Sequence, residues 1–215
     1  MLKLEHAQTY GWEAAVRGMR NPMNSWDKSD SGTDEEFNID TRIGYLVGEN
    51  DFSLMKKLTA AGTDHAKFLR MLIVTVDLTA PLYWWKEYDT YKVGTVANSC
   101  STMHKIQEKE FVVGDFSHEH LFSDPYDVDA GMNVLQYIID ILNIHRDIFL
   151  ESNDKDHWWQ MIQLLPSSYN QKRAVYLNYA VLRNIYHSRK NHKLDEWRTF
   201  CNWIESLPYS ELIMM

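Results

Sequence analysis

Residues 71–78, Met-Leu-Ile-Val-Thr-Val-Asp-Leu, alternate with the period of a pleated strand. Leu72, Val74, Val76 and Leu78 point to one side; Met71, Ile73, Thr75 and Asp77 point to the other. Ala80-Pro81 closes the run. The fixed φ of proline suits the first turn of a helix, so Leu82 to Thr90 is predicted as a short aromatic helix. This strand constrains the fold because everything long around it has helical spacing instead. No alternating strand–helix–strand rhythm appears, which argues for an α+β fold over a doubly wound sheet.

The helical segments follow from their apolar spacing. Residues 9–20 form one around Trp12, Ala14, Ala15, Val16 and Met19, stopped near Asn21-Pro22. Asp27 to Asp40 is an acidic stretch predicted as a solvated loop. A helix opens near Asn50-Asp51, carries Leu54, Met55, Leu58 and Ala61, and stops at Gly62. Val93 to Ser99 reads as a loop or short extended piece, and Ser117 to Asp129 as a loop. Val134, Leu135, Ile138, Ile141, Leu142, Ile148 and Phe149 set the longest helix over about 130–150. After a loop at Glu151 to Asp156 and Leu165-Pro166, two last helices are predicted over about 170–190 and 194–206.

The 215 residues fit one domain, 1–215, large enough for a proper core. A net charge of −8 provides no electrostatic footprint for duplex nucleic acid or anionic membrane, although a few local cations can still hold a small anion. Cys100 and Cys201 form no metal or disulfide spacing, which fits a reducing compartment. The start of the chain has no apolar run of signal length, and no stretch approaches the roughly 20 apolar residues of a membrane span. A soluble, cytoplasmic protein is expected.

Few residues cluster in a way that carries chemistry. His118-Glu119-His120 suggests a metal pair, but no third ligand accompanies it, so no metal is expected. His145 falls on the apolar face of the longest helix and reads as a satisfied core or interface histidine. Cys100 has no nucleophile motif around it. The pairs Trp84-Trp85 and Trp158-Trp159 read as core rather than stacking platforms. Asn178, Asn184 and Arg189 are the informative set. On a continuous helix at about 100° per residue, Asn178 and Arg189 share a face three turns apart, with Asn184 to one side. Spacing alone leaves two readings, a solvated face and one wall of a pocket.

Two segments resemble the flavin-dependent thymidylate synthases. From Leu54 to His104, the family's helix ending in Gly, strand closed by Ala-Pro and short aromatic helix are matched by Gly62, Ala80-Pro81 and Leu82-Tyr83-Trp84-Trp85. Asn98 and Ser101 stand near the family's Asn and Ser. From Leu165 to Trp197, the family's Leu-Pro, Asn, Asn, Arg and Trp are similar in order and spacing to Leu165-Pro166, Asn178, Asn184, Arg189 and Trp197. The family's Arg-His-Arg is replaced by Thr90-Tyr91-Lys92, and eight residues rather than seven precede Ser101. Ser99, Met103 and Ile162 replace a family Glu and two family Arg, so Lys92 alone keeps a charge of the first cluster.

The resemblance implies a helix-rich α+β fold with a central antiparallel or mixed sheet. It also implies methylation of dUMP, or a related pyrimidine nucleotide, with methylenetetrahydrofolate as carbon donor, reduced FAD as hydride donor and NADPH as reductant. By position, Arg189 would face the pyrimidine and serve catalysis, Ser101 and Lys92 would meet the phosphate, and Asn98, Asn178 and Asn184 the flavin. The family's site is shared among subunits of a homotetramer. Each lost arginine removes a charged hydrogen bond worth roughly 1.5–3 kcal/mol. Two alternatives therefore stand beside the enzyme: a relative that binds nucleotide or flavin without turnover, and a helical interaction protein of the same fold. His65, Arg70, Lys92 and His104 are the candidate replacement cations.

Overall fold

The computed structural model describes residues 1–33 and 44–215. Asp34, Glu35, Glu36 and Asp40 of the expected acidic loop lie outside the described residues. The elements run β1 (Lys3–Tyr10), α1 (Trp12–Arg20), α2 (Glu49–Ala60), β2 (Ile73–Pro81), α3 (Leu82–Tyr88), β3 (Val96–Ser99), α4 (Gly131–Ser152), α5 (Lys155–Leu164), β4 (Asn170–Asn178), α6 (Tyr179–Arg189), α7 (Asp195–Glu205) and α8 (Glu211–Met214). This is a helix-rich α+β chain with one four-stranded sheet of order β1-β2-β4-β3. The Tyr179 amide donates to Leu72 O and the Leu82 amide to Tyr169 O, each at 3.0 Å, so β4 runs antiparallel to β2. Among the described residues no helix is long and apolar enough to cross a membrane.

Strand β2 follows its alternation: Val74, Val76 and Leu78 are buried while Ile73, Thr75 and Asp77 are half-buried. The expected helix over 170–190 is corrected. Its first nine residues form β4, and the helix starts only at Tyr179. Lys172, Arg173 and Ala174 are good helix formers, but pairing with β2 and the burial of Gln171, Val175 and Leu177 outweigh that propensity. The first strand gave no sequence signal because Lys3–Tyr10 lies at a sheet edge and buries only Thr9. The expected helix from residue 9 therefore begins at Trp12, behind Gly11 at φ +87°. A Cβ on Gly11 would stand 2.0 Å from Met71 O, so this junction requires glycine. Helix α5 is a further element the apolar spacing did not disclose. Asp154 opens it by accepting from the Asp156 amide.

The chain forms two compact units interleaved in sequence: residues 1–3, 78–89 and 98–173, and residues 4–77, 90–97 and 174–215. Every strand carries residues of both. In the first unit, Ile106, Phe111 and Phe116 pack with Leu135, Ile139 and Leu142 of α4 and Met161 of α5. Trp84, Trp85 and Tyr88 of α3 are buried against one another, and the Trp85 indole donates to Gln171 O. Half-buried His145 meets His157, the two Nδ1 atoms 2.8 Å apart.

In the second unit, Trp12 packs edge-on to Tyr179 and against Tyr209, and α6, α7 and α8 bury Leu182, Ile185, Trp197, Phe200, Ile204 and Leu212. The described part of the acidic stretch is pinned rather than simply solvated. Asp30 accepts from the Asn50 and Asp51 amides at the start of α2, and Ser29 and Ser31 donate to buried Asp51. Burial alone would raise the Asp51 carboxyl pKa, but the Ser29 and Ser31 hydroxyls and Arg20 outweigh it and hold it below the usual carboxylate range.

Candidate functional site

Asn178, the cavity on α6 and the surroundings of Arg189 all lie within the second unit. Asn178 ends β4 and caps α6, its Oδ1 accepting from the Val181 amide at 3.0 Å. Its Nδ2 lies against Gly94, where a Cβ would come within 2.9 Å. The residue is buried, and its side chain is committed to starting the helix. Asn178→Ala should therefore lower stability by about 1 kcal/mol, or roughly 2–4 °C of melting temperature for a chain this size. An unchanged thermal melt would show the cap to be dispensable.

One turn on, Ala180, Arg183, Asn184 and His187 follow at i, i+3, i+4 and i+7 and share one face of α6. Together with Thr63, Ala66, Leu69 and Arg70 they line a cavity of about 300 Å³. The floor is apolar, from Ala66, Leu69 and Ala180, and the polar groups are three basic side chains, the Thr63 hydroxyl and the Asn184 carboxamide. Arg183 donates through Nε and Nη2 to Met215 O, and His187 Nε2 donates to the same oxygen at 2.8 Å. A carboxamide supplies a donor and an acceptor to a ring edge, and clustered cations suit an anionic group. Such a cavity suits a flat heteroaromatic ligand with a negatively charged substituent.

Arg189 does not belong to this wall. It stands nine residues from Ala180, on the opposite side of α6. There Nε donates to the Tyr91 hydroxyl at 2.9 Å, and the guanidinium carbon lies 4.9 Å from the Trp197 ring centroid and 5.7 Å from that of Tyr91. Trp197 is fully buried and meets Tyr91 edge-on. The expected common face of Asn178 and Arg189 is thus corrected: Asn178 is not a helical residue, so its side chain does not follow helical spacing. Lys92, beside Tyr91, is exposed.

Asn98 and Ser101 belong to the first unit, both exposed, and Ser101 Oγ accepts from the His104 amide. Of the candidate replacement cations, Arg70 lines the cavity, whereas His65, Lys92 and His104 do not. Arg183 and His187 were not singled out in the sequence. Their signal was available, since each lies one turn or less from Asn184 on a common helical face. Cys201 is buried, and burial, with Glu205 nearby, pushes its thiol up to about 11. His118 Nδ1 is bonded to Phe116 O, and Glu119 pairs with the terminal ammonium.

No protein-family model matches the chain, and no curated protein matches it in sequence. Solved structures do match in fold. The flavin-dependent thymidylate synthase ThyX of Helicobacter pylori complexed with FAD and dUMP superposes with a TM-score of 0.67 at 17% identity, over 99% of this chain and 97% of that one. A second structure of ThyX from the same organism, with FAD and dUMP, gives 0.65 at 15% identity, over 100% and 99%. At this identity the likeness establishes the fold, over its whole length.

Proposed function

We propose that this chain binds FAD in the cavity under α6 and a dUMP-like nucleotide at Arg189, and acts as a flavin-dependent thymidylate synthase-like methyltransferase. The observation that carries the reading is Asn184. The position that the resemblance assigns to the flavin lines a cavity with Arg70, Arg183 and His187, in a chain whose whole length shares the fold of a protein solved with FAD and dUMP. The residues fit the group: Asn184 offers an amide to a ring edge, Arg70 and Arg183 offer charge to a phosphate, and Ala66, Leu69 and Ala180 offer an apolar floor. FAD bound there would supply the hydride, and methylenetetrahydrofolate and NADPH would supply the carbon unit and the reducing equivalents. Arg189 would hold negative charge developing on the pyrimidine, with its plane fixed by Trp197 and Tyr91. Lys92 and Ser101 are the proposed phosphate contacts and Asn98 a further flavin contact, in a homotetramer where several copies complete each site.

A second reading is favoured by one observation. Tyr91 stands where the family carries a charged motif, and its hydroxyl engages Arg189. That arrangement suits a relative that retains the ligands without turnover. Saturating FAD at 100 times its dissociation constant should add about 2.7 kcal/mol to stability under either reading. Asn184→Ala should weaken FAD by about 2- to 12-fold, the worth of one neutral hydrogen bond, with the apo melt unchanged. A colourless protein whose melt ignores FAD would remove both readings. Formation of dTMP from dUMP in single-turnover assays of the reduced, FAD-loaded protein separates the enzyme from the binder.

A further inference from the structure

Two of the basic side chains that line the cavity under α6 are held by the protein itself. Arg183 donates through Nε at 3.2 Å and Nη2 at 2.9 Å, and His187 through Nε2 at 2.8 Å, all to the main-chain oxygen of Met215. Met215 does not line the cavity; it grips side chains that do. Three donors thus converge on one oxygen, which has two lone pairs to offer. A phosphate suits a guanidinium fork better, because it accepts the parallel N–H bonds on separate oxygens. The contact is also open to exchange with solvent: His187 is exposed, Arg183 half-buried and Met215 40% exposed.

The oxygen can leave without disturbing the core. Helix α8 is anchored by Leu212 and Ile213, both fully buried. Met215 lies beyond them, and its amide donates to Glu211 O at 3.1 Å. Opening that one bond frees the oxygen while Leu212 and Ile213 stay in place. Arg70 is exposed and lines the same cavity, so an anion drawn to it arrives where it can compete for Arg183.

We propose that Met215 is a latch on this cavity. Its main-chain oxygen occupies the anion-binding donors of Arg183 and His187, and a phosphate-bearing ligand takes them over only as the last turn of α8 opens. Apparent affinity is then reduced by the fraction of molecules in which the latch is closed, so whatever loosens that turn tightens the ligand. The inference rests on the reading that the cavity takes an anionic ligand, but not on that ligand being a flavin.

The test is calorimetric titration of inorganic pyrophosphate, and separately of FAD, into the full chain and two variants. Met215→Pro has no N–H to give Glu211 O and disfavours helical backbone at Met214. It should raise the affinity for both probes by about 2- to 12-fold, the worth of one neutral hydrogen bond. Arg183→Gln should weaken pyrophosphate by about ten- to a hundred-fold, and adding Met215→Pro to it should restore almost nothing. Amide hydrogen exchange gives a second readout in wild type. Saturating pyrophosphate should speed exchange at the Met215 amide while Leu212 and Ile213 stay protected. Equal or weaker pyrophosphate binding by a folded Met215→Pro overturns the latch, and so does Met215 exchange that is unchanged or slowed at saturation. If Met215→Pro fails to fold, the exchange measurement decides. Pyrophosphate binding that responds to the latch, in a protein that ignores FAD, keeps the latch and removes the flavin reading. A protein that binds neither probe overturns both.

Discussion

Asp51→Asn should destabilise the chain by about 3–5 kcal/mol, the scale for stranding one partner of a buried ion pair. The carboxylate is fully buried. It accepts from Arg20 Nε at 2.6 Å, from the Ser29 and Ser31 hydroxyls, and from the Asp30 and Ser31 amides. An asparagine keeps the shape but has a single acceptor oxygen. Turned toward Arg20, it sets its NH2 against two backbone amides; turned the other way, it sets NH2 against the guanidinium. Arg20 is itself buried, and its Nη atoms are committed to Ser25 O and Lys28 O, so it cannot retreat into water. The acid side follows from the same contacts. The folded pKa of Asp51 lies below its unfolded value, so its contribution is fully present above the unfolded value and is lost as pH falls through the folded one. Wild type should therefore lose stability toward acid more steeply than Asp51→Asn. Chemical denaturation of both proteins across the acid range checks this. Parallel curves would mean that Asp51 does not carry the linkage, and a loss under about 1 kcal/mol at neutral pH would mean that the Ser29–Ser31 segment repacks.

That network marks a limit of what a sequence discloses. Arg20 and Asp51 stand 31 positions apart, and no periodicity links them. Short-range physics was legible: the period-two run of β2, Pro81 at the start of α3, Gly62 after α2, and the helical spacing of α4 and α7. The α+β class followed from these, and the chain's whole length superposes on that of ThyX. What escaped was set by tertiary pairing. The edge strand β1 carries almost no buried side chain to reveal it, and β4 is written in residues that also suit a helix. The second case propagated into the site. Treating 170–190 as one helix set Asn178 and Arg189 on a common face, whereas the strand-to-helix junction turns Asn178 into a cap and leaves Asn184 with Arg183 and His187 at the cavity. The relative directions read from the sequence did not survive that error.

Arg189→Ala should weaken dUMP binding by about ten- to a hundred-fold, the equivalent of the roughly 1.5–3 kcal/mol carried by a charged hydrogen bond. The position is the one that the resemblance assigns to the pyrimidine, and the structure adds a physical reason for it to act as a fixed group. Nε is held by the Tyr91 hydroxyl, and the guanidinium lies over the buried indole of Trp197. A planar cation oriented in advance loses less entropy when it meets a carbonyl or an anion. Arg189→Lys should recover only part of the affinity, since an ammonium keeps the charge but neither stacks as a plane nor offers a fork of donors. The same packing gives the alanine variant a structural cost as well. Loss of the cation–π contacts should lower stability by about 0.5–2 kcal/mol, a measurable drop in the melt without collapse. Tyr91→Phe separates the two roles. It keeps the ring and removes only the acceptor for Nε, so it should reduce dUMP affinity by several-fold with a smaller change in the melt. Calorimetric titration of dUMP into the four proteins, with thermal melts alongside, decides the matter. Equal affinities throughout would take Arg189 out of the nucleotide site and leave it as a strut between α6 and Trp197. A fall in affinity that tracks the fall in stability, with Arg189→Lys restoring both in proportion, would point to the same strut.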